Sequence, residues 1–188
     1  TSIEDIRSLR LITAVKTPYL PNGQFDLEAY DNLVDMQIAN GADGLLSTVL
    51  ATKLRLSVMP EATAHQRQLR PLRGVGMDTA LHINPYYGET SLDGLVAHYN
   101  SVLSIGPVIV YNIPSRTAQD IPPSVVQALA QSPNLVGVKE FVGNERIKEY
   151  ASEGIVVWSA NDEECHDARW DCGAVGVQCV EWGRFNQV

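Results

Sequence analysis

The feature that most constrains this chain is its rhythm. Short, nearly continuous apolar runs alternate with stretches of helical periodicity along most of its length. Leu11 to Tyr19, Gly44 to Ser47, Thr79 to Tyr87, Val108 to Ile113, Leu135 to Lys139, Ile155 to Ser159 and Ala174 to Val180 read as strands. Between them, Asp26 can cap a helix from Leu27 to about Asn40, with Leu27, Tyr30, Leu33, Val34 and Ile38 on one face. Ser91 can cap another through Leu95, Tyr99 and Leu103, and Pro122-Pro123 opens one to about Gln131. Glu145 to Ala151 and Asp162 to Asp171 complete the helical stretches. Strands that alternate with helices imply βα units and a parallel sheet. The runs Pro107–Tyr111 and Leu135–Val138 have no polar face, as expected when helices cover both sides. No G-x-G-x-x-G follows a strand, so a dinucleotide-binding fold loses its main support. The expected architecture is α/β, a single-domain (β/α)₈ TIM barrel. Such barrels run to about 250 residues. With 188 residues this one is expected to be incomplete.

Composition narrows the function classes. Apolar residues make up 45% and charged residues 19%, which fits a folded domain rather than a disordered one. A net charge of −8 lacks the basic footprint of a nucleic-acid binder. No apolar run approaches the roughly 20 residues that span a bilayer. Neither nucleic acid nor membrane is therefore an expected partner. The start, Thr1 to Asp5, lacks the basic and apolar regions of a targeting peptide, which is expected to be absent or already removed. Cys165, Cys172 and Cys179 recur every seven residues, neither a metal knuckle nor a disulfide set. No metal site is expected, and the compartment reads as reducing. His82 and His98 read as core or surface residues rather than ligands.

Active sites of such barrels lie at the C-terminal ends of the strands. Lys139 follows the apolar run Leu135–Val138, where burial disfavours its ammonium form and frees the neutral amine that Schiff-base chemistry needs. The plain alternative is a lysine snorkelling to the barrel mouth or paired with Glu140. Tyr111 ends the preceding strand, where a phenol can shuttle a proton. Arg116 lies five residues on, in a proline-stiffened loop where its fork suits a carboxylate; a half-buried core tyrosine and a loop-stabilising arginine are the plainer reading of the two residues. Tyr86 and Tyr87 end a third strand, and one of two adjacent tyrosines must face away from the barrel axis.

These segments together resemble the dihydrodipicolinate synthase family, class I aldolase-like lyases that open the diaminopimelate route to lysine. The likeness rests on LITAVKTPYL, FDLEAY, HINPYYG, YNIPSRT, GVKE and WSANDEECHD, in that order. It covers about four-fifths of the chain, near 3–46 and 74–177. It is strongest to the plant, plastid-located form. The resemblance implies that Lys139 is the Schiff-base lysine, Tyr111 the proton-relay tyrosine and Tyr87 the tyrosine that reaches a neighbouring subunit's site. It implies that Arg116 binds the carboxylate of L-aspartate 4-semialdehyde and that pyruvate is the partner substrate. No cofactor is implied, and a homo-oligomer, a tetramer in the family, is. The nearest enzyme alternative is another pyruvate-dependent lyase such as N-acetylneuraminate lyase. From a different class, the alternative is a catalytically impaired homologue that modulates an intact paralogue.

The departures from the family are specific. After Gly44 the family carries a G-G-T-T-G-E loop whose threonines hold pyruvate and join the relay, whereas this chain reads Leu45-Leu-Ser-Thr-Val-Leu-Ala-Thr52. The helix after that loop is expected to be missing. Residues 47–73 read as an aberrant segment, and Lys53 to Arg73 alone carry a net +4, leaving −12 on the rest. One permitted set of codons for Leu54 to Ala64, read two nucleotides later, yields the family-like Q-V-I-G-N-A-G-S-N-S. After Val177 the family has an isoleucine that touches pyruvate, and Gln178 stands there in this chain. The eighth helix and the C-terminal helical region are expected to be missing too. Of the family's allosteric lysine contacts only Tyr86 survives, so feedback inhibition is expected to be absent. A barrel with these losses is expected to be aggregation-prone or partly molten, with 47–73 least protected.

Overall fold

A computed structural model describes residues 2–47, 78–85 and 89–179. Its frame is one parallel sheet. The strands are β1 (Leu11–Val15), β2 (Gly44–Ser47), β3 (Ala80–Ile83), β4 (Val108–Asn112), β5 (Leu135–Glu140), β6 (Val157–Ser159) and β7 (Gly176–Cys179). They hydrogen-bond in the order β2-β1-β7-β6-β5-β4-β3. The first strand therefore pairs with the last, Ile12 opposite Gln178, which curls the sheet as a barrel does. Among the described residues the sheet has two edges, β2 and β3, consecutive in the chain and joined by the stretch that contains 48–77. This is the TIM-barrel architecture that the alternating pattern predicts, with seven strands of it among the described residues. Each strand lies within its sequence-predicted run or one residue beyond it, and most are shorter, because pairing stops where a neighbour ends.

Two apolar clusters sandwich the sheet. The outer one fills the space under α3 (Leu92–Leu103), α5 (Pro123–Leu129), α6 (Asn144–Ser152) and α7 (Cys165–Trp170). There Leu95, Tyr99, Leu103, Val126, Leu129 and Ile147 meet Val108, Val110 and Val138 of the strands. The inner cluster joins Ile12, Ile109 and Trp158 with Ile6. All six residues of β5 are buried, which explains its run without a polar face. Gly137 is required there. A Cβ would meet Val156 O at 2.5 Å and the Trp158 ring at 2.7 Å, so only glycine lets the indole lie against β5. The indole Nε1 donates to Leu9 O at 2.8 Å.

Two short helices were not legible from periodicity. Helix α1 (Ile3–Arg7) carries a reciprocal cap, Asp5 N to Ser2 Oγ at 3.1 Å and Ser2 N to Asp5 Oδ2 at 2.8 Å. It closes the N-terminal end of the sheet: Ile6 enters the inner cluster, and Arg7 Nη2 donates to Leu135 O at 2.7 Å. The other is α4 (Pro114–Thr117), one turn at the mouth of β4.

Helix α2 (Leu27–Ala39) corrects an expectation. Asp26 caps it as predicted, accepting from Ala29 N at 2.9 Å. Its apolar stripe, however, buries none of its residues, and Leu27 and Ile38 are 61% and 57% exposed. The helix lies along β1, next to the open edge of the sheet.

Candidate active site

The C-terminal ends of β4 and β5 bring the predicted pair together. Tyr111 and Lys139 are register partners, and Lys139 in turn pairs with Trp158 of the inner cluster. Lysine and phenol thus share the inner face. Lys139 is 3% exposed, and its Nζ lies 4.5 Å from the centroid of the Tyr111 ring. A cation over a ring face at this range is attracted by the ring quadrupole. The other described lysines differ: Lys16 is exposed, and half-exposed Lys148 pairs with Glu145 at 3.3 Å. Of the plain alternatives for Lys139, the pair with Glu140 is not formed. Glu140 accepts instead from Asn112 Nδ2 and, at 2.7 Å, from Val142 N.

Arg116 is exposed on α4, whose single turn is fixed by Pro114 and by Thr117 Oγ1 donating to Ile113 O at 3.1 Å. Its charge reaches the phenol. Burial raises the pKa of Tyr111 above the usual phenol value; the Arg116 guanidinium pulls it back, and Asp162 and Glu140 push it up. Asp162 follows β6 and belongs to this electrostatic neighbourhood. Sequence reasoning treated it only as a helix start, although its place just beyond a strand end was a usable signal.

Gln178 lies on β7 opposite Ile12, an inner-cluster residue, so its amide faces the inside of the curl. It is 2% exposed, and its Nε2 has no hydrogen-bond partner. A buried donor without an acceptor is costly, and a ligand oxygen would relieve it. Tyr86, Tyr87, Thr48 and Thr52 lie outside the described residues, as does the predicted aberrant segment beyond Ser47. His82 is buried and stacks on His98 at 5.0 Å between ring centroids, in agreement with a packing role. Among the described residues no group of three metal-ligating side chains occurs, and no helix is long and apolar enough to cross a membrane. Cys165 and Cys172 are free thiols.

Residues 7–52 and 62–182 match the Dihydrodipicolinate synthetase family. The chain belongs to that family. It is 53% identical over 206 residues to a protein of Glycine max named 4-hydroxy-tetrahydrodipicolinate synthase, chloroplastic, covering 96% of this chain and 62% of that protein. It is 49% identical to synthase 1, chloroplastic, of Arabidopsis thaliana, covering 96% and 56%. The chain thus spans about three-fifths of the length of these relatives. The solved synthase of Methylacidiphilum fumariolicum SolV superposes with a TM-score of 0.83 at 25% identity, over 94% of this chain and 69% of that one. A sialic acid aldolase of Ruminococcus gnavus gives 0.82 at 17% identity, over 94% and 69%, which speaks for the fold alone. The family match skips 53–61, inside the basic, aperiodic stretch.

Proposed function

We propose that this protein acts as a 4-hydroxy-tetrahydrodipicolinate synthase, condensing pyruvate with L-aspartate 4-semialdehyde in the diaminopimelate route to lysine. The observation that carries the reading is the buried amine of Lys139 against the Tyr111 ring. In this mechanism Lys139 Nζ adds to the pyruvate ketone and water leaves, forming an imine. Loss of a methyl proton gives the enamine, whose carbon attacks the semialdehyde's aldehyde. The semialdehyde's amino group then attacks the imine carbon, closing the ring and releasing Lys139. Tyr111 shuttles the protons, joined by Tyr87 from a neighbouring subunit. Arg116 takes the semialdehyde carboxylate in a forked pair. Gln178 Nε2 would donate to a pyruvate oxygen, which would occupy an otherwise unused buried donor. The assembly is a homo-oligomer, and the location is the plastid, in keeping with the chloroplastic names of its plant relatives.

A second reading is a catalytically impaired homologue that modulates an intact paralogue. The absence of a glycine-flanked threonine pair in 45–52 and the break in the family match at 53–61 favour it. The same break supports an out-of-frame origin for 47–73, which resequencing of the transcript would decide.

Mass detection of the cyclic product after incubation with both substrates separates the readings. Product formation that is lost in Lys139→Arg supports the synthase. An imine on Lys139 without product, together with co-purification of a full-length synthase, supports the impaired homologue. Neither product nor imine overturns both.

A further inference from the structure

Directly behind the lysine and phenol, on the opposite face of the same two strands, lies a polar cluster that this chemistry does not use. The rung after Tyr111–Lys139 pairs Asn112 with Glu140. Asn112 is fully buried and Glu140 is 1% exposed. Asn112 Nδ2 donates to the two Glu140 carboxylate oxygens at 3.2 and 3.1 Å and to Asp120 Oδ1 at 2.7 Å. Its Oδ1 accepts from Ile121 N at 3.1 Å. Arg146 of α6 grips both Asp120 oxygens, at 3.2 and 3.0 Å, and donates to Ile121 O at 3.2 Å. Main-chain bonds tie the same level: Phe141 N to Asn112 O at 3.1 Å and Ala160 N to Glu140 O at 2.8 Å.

Packing does not demand this arrangement. One rung pair lower, Val110 faces Val138 in the same outer core, and a buried carboxylate is dearer than a valine. What the cluster adds is position. Hydrogen bonds are directional and side chains alternate along a strand, so fixing Asn112 to Glu140 fixes the height and facing of Tyr111 and Lys139, one residue back on each strand. We propose that Glu140 and Asn112 are positioning residues for the Lys139–Tyr111 pair, clamping β4 to β5 from behind, with Asp120 and Arg146 holding the asparagine in its orientation.

The inference rests on the reading of Lys139 as the imine-forming amine, so the test keeps the two apart. Glu140→Gln is isosteric but turns an amide NH₂ toward the Asn112 NH₂, donor against donor. Trapping with pyruvate and borohydride is followed in time at Lys139 by mass spectrometry. The rate constant should fall roughly 10- to 100-fold, because small displacements of a reacting group cost that much. Tyr99→Phe is the control: it removes a buried hydroxyl of the same outer core that has no hydrogen-bond partner and leaves every bond of the clamp in place, and its rate should stay within about twofold of wild type. An unchanged rate constant in Glu140→Gln, or a loss of amplitude alone in step with the folded fraction, overturns the clamp. If Glu140→Gln does not fold, Glu140→Asp, one methylene short of Asn112, is judged by the same criteria. If wild type traps no pyruvate, the synthase reading falls, and the clamp is judged by competitive acetylation of Lys139 relative to Lys148. A change of about threefold or more in Glu140→Gln then supports it. No change overturns it.

Discussion

At the scale of single residues, the site turns on how burial treats two groups that face each other. The place of Lys139 at the end of a buried strand was legible because it closes a continuous apolar run. Tyr111 was legible only as a companion, since a tyrosine ending a buried strand is ordinarily core. Asn112, Glu140 and Asp162 were not legible as parts of one neighbourhood, because register and strand height are not written in spacing. The Tyr111 environment has a pH consequence. Burial raises its pKa, the Arg116 charge lowers it, and Asp162 and Glu140 raise it, with a net upward shift. The phenol therefore stays protonated to higher pH than a free tyrosine. The protonated phenol's contribution to stability is fully present below the ordinary phenol pKa and is lost as pH rises from there through the raised value of the folded state, because the unfolded chain ionises first. Ultraviolet difference titration of wild type against Tyr111→Phe should show the missing phenol ionising above the ordinary value. A midpoint at or below that value would contradict the geometry.

At the scale of elements, the strands were read well and the helices less so. Continuous apolar runs such as Leu135–Val138 have few alternatives to a covered strand, so β4 and β5 appear where expected. Helices α1 and α4 escaped because five and four residues are too few to show a period. Helix α2 was placed correctly, but how far its apolar face is covered was not legible, because amphipathicity states which side could be covered, not whether something covers it. Strand β5 carries the sharpest test. Gly137 stands two residues before Lys139, against Val156 O and the Trp158 ring. Gly137→Ala should destabilise the fold by about 1–3 kcal/mol through overpacking. It should also perturb Trp158, so near-ultraviolet circular dichroism and thermal melting read it together. A wild-type melting temperature with unchanged indole signal would contradict the packing described.

At the scale of the whole molecule, the sheet is asymmetric in how firmly it is held. Strands β4, β5 and β6 are covered on the outside by α3, α5, α6 and α7, whose sheet-facing side chains Leu95, Tyr99, Val126, Leu129, Ile147 and Ala168 are buried. On the other side of the curl α2 buries none of its residues, with Leu27, Met36 and Ile38 left 61%, 48% and 57% exposed. Burying a large apolar side chain is worth roughly 1.5–3 kcal/mol, so the two halves differ by an amount that matters against total stabilities of about 5–15 kcal/mol. Hydrogen exchange should therefore find the slowest amides in β4–β6 and faster exchange in α2 than in α3. Protection of α2 equal to that of α3 would show that its apolar stripe is covered in solution. The sequence also predicts least protection for 47–73, which the same experiment reads.

The central claim is that a lysine buried at the end of β5, beside a tyrosine on β4, is a reactive amine for a keto acid. Borohydride reduction of the full chain in the presence of pyruvate, followed by peptide mass spectrometry, tests it most directly. The account predicts one reduced adduct, on Lys139, and none on Lys16 or Lys148. An adduct on either of those lysines, or on no lysine, would contradict it.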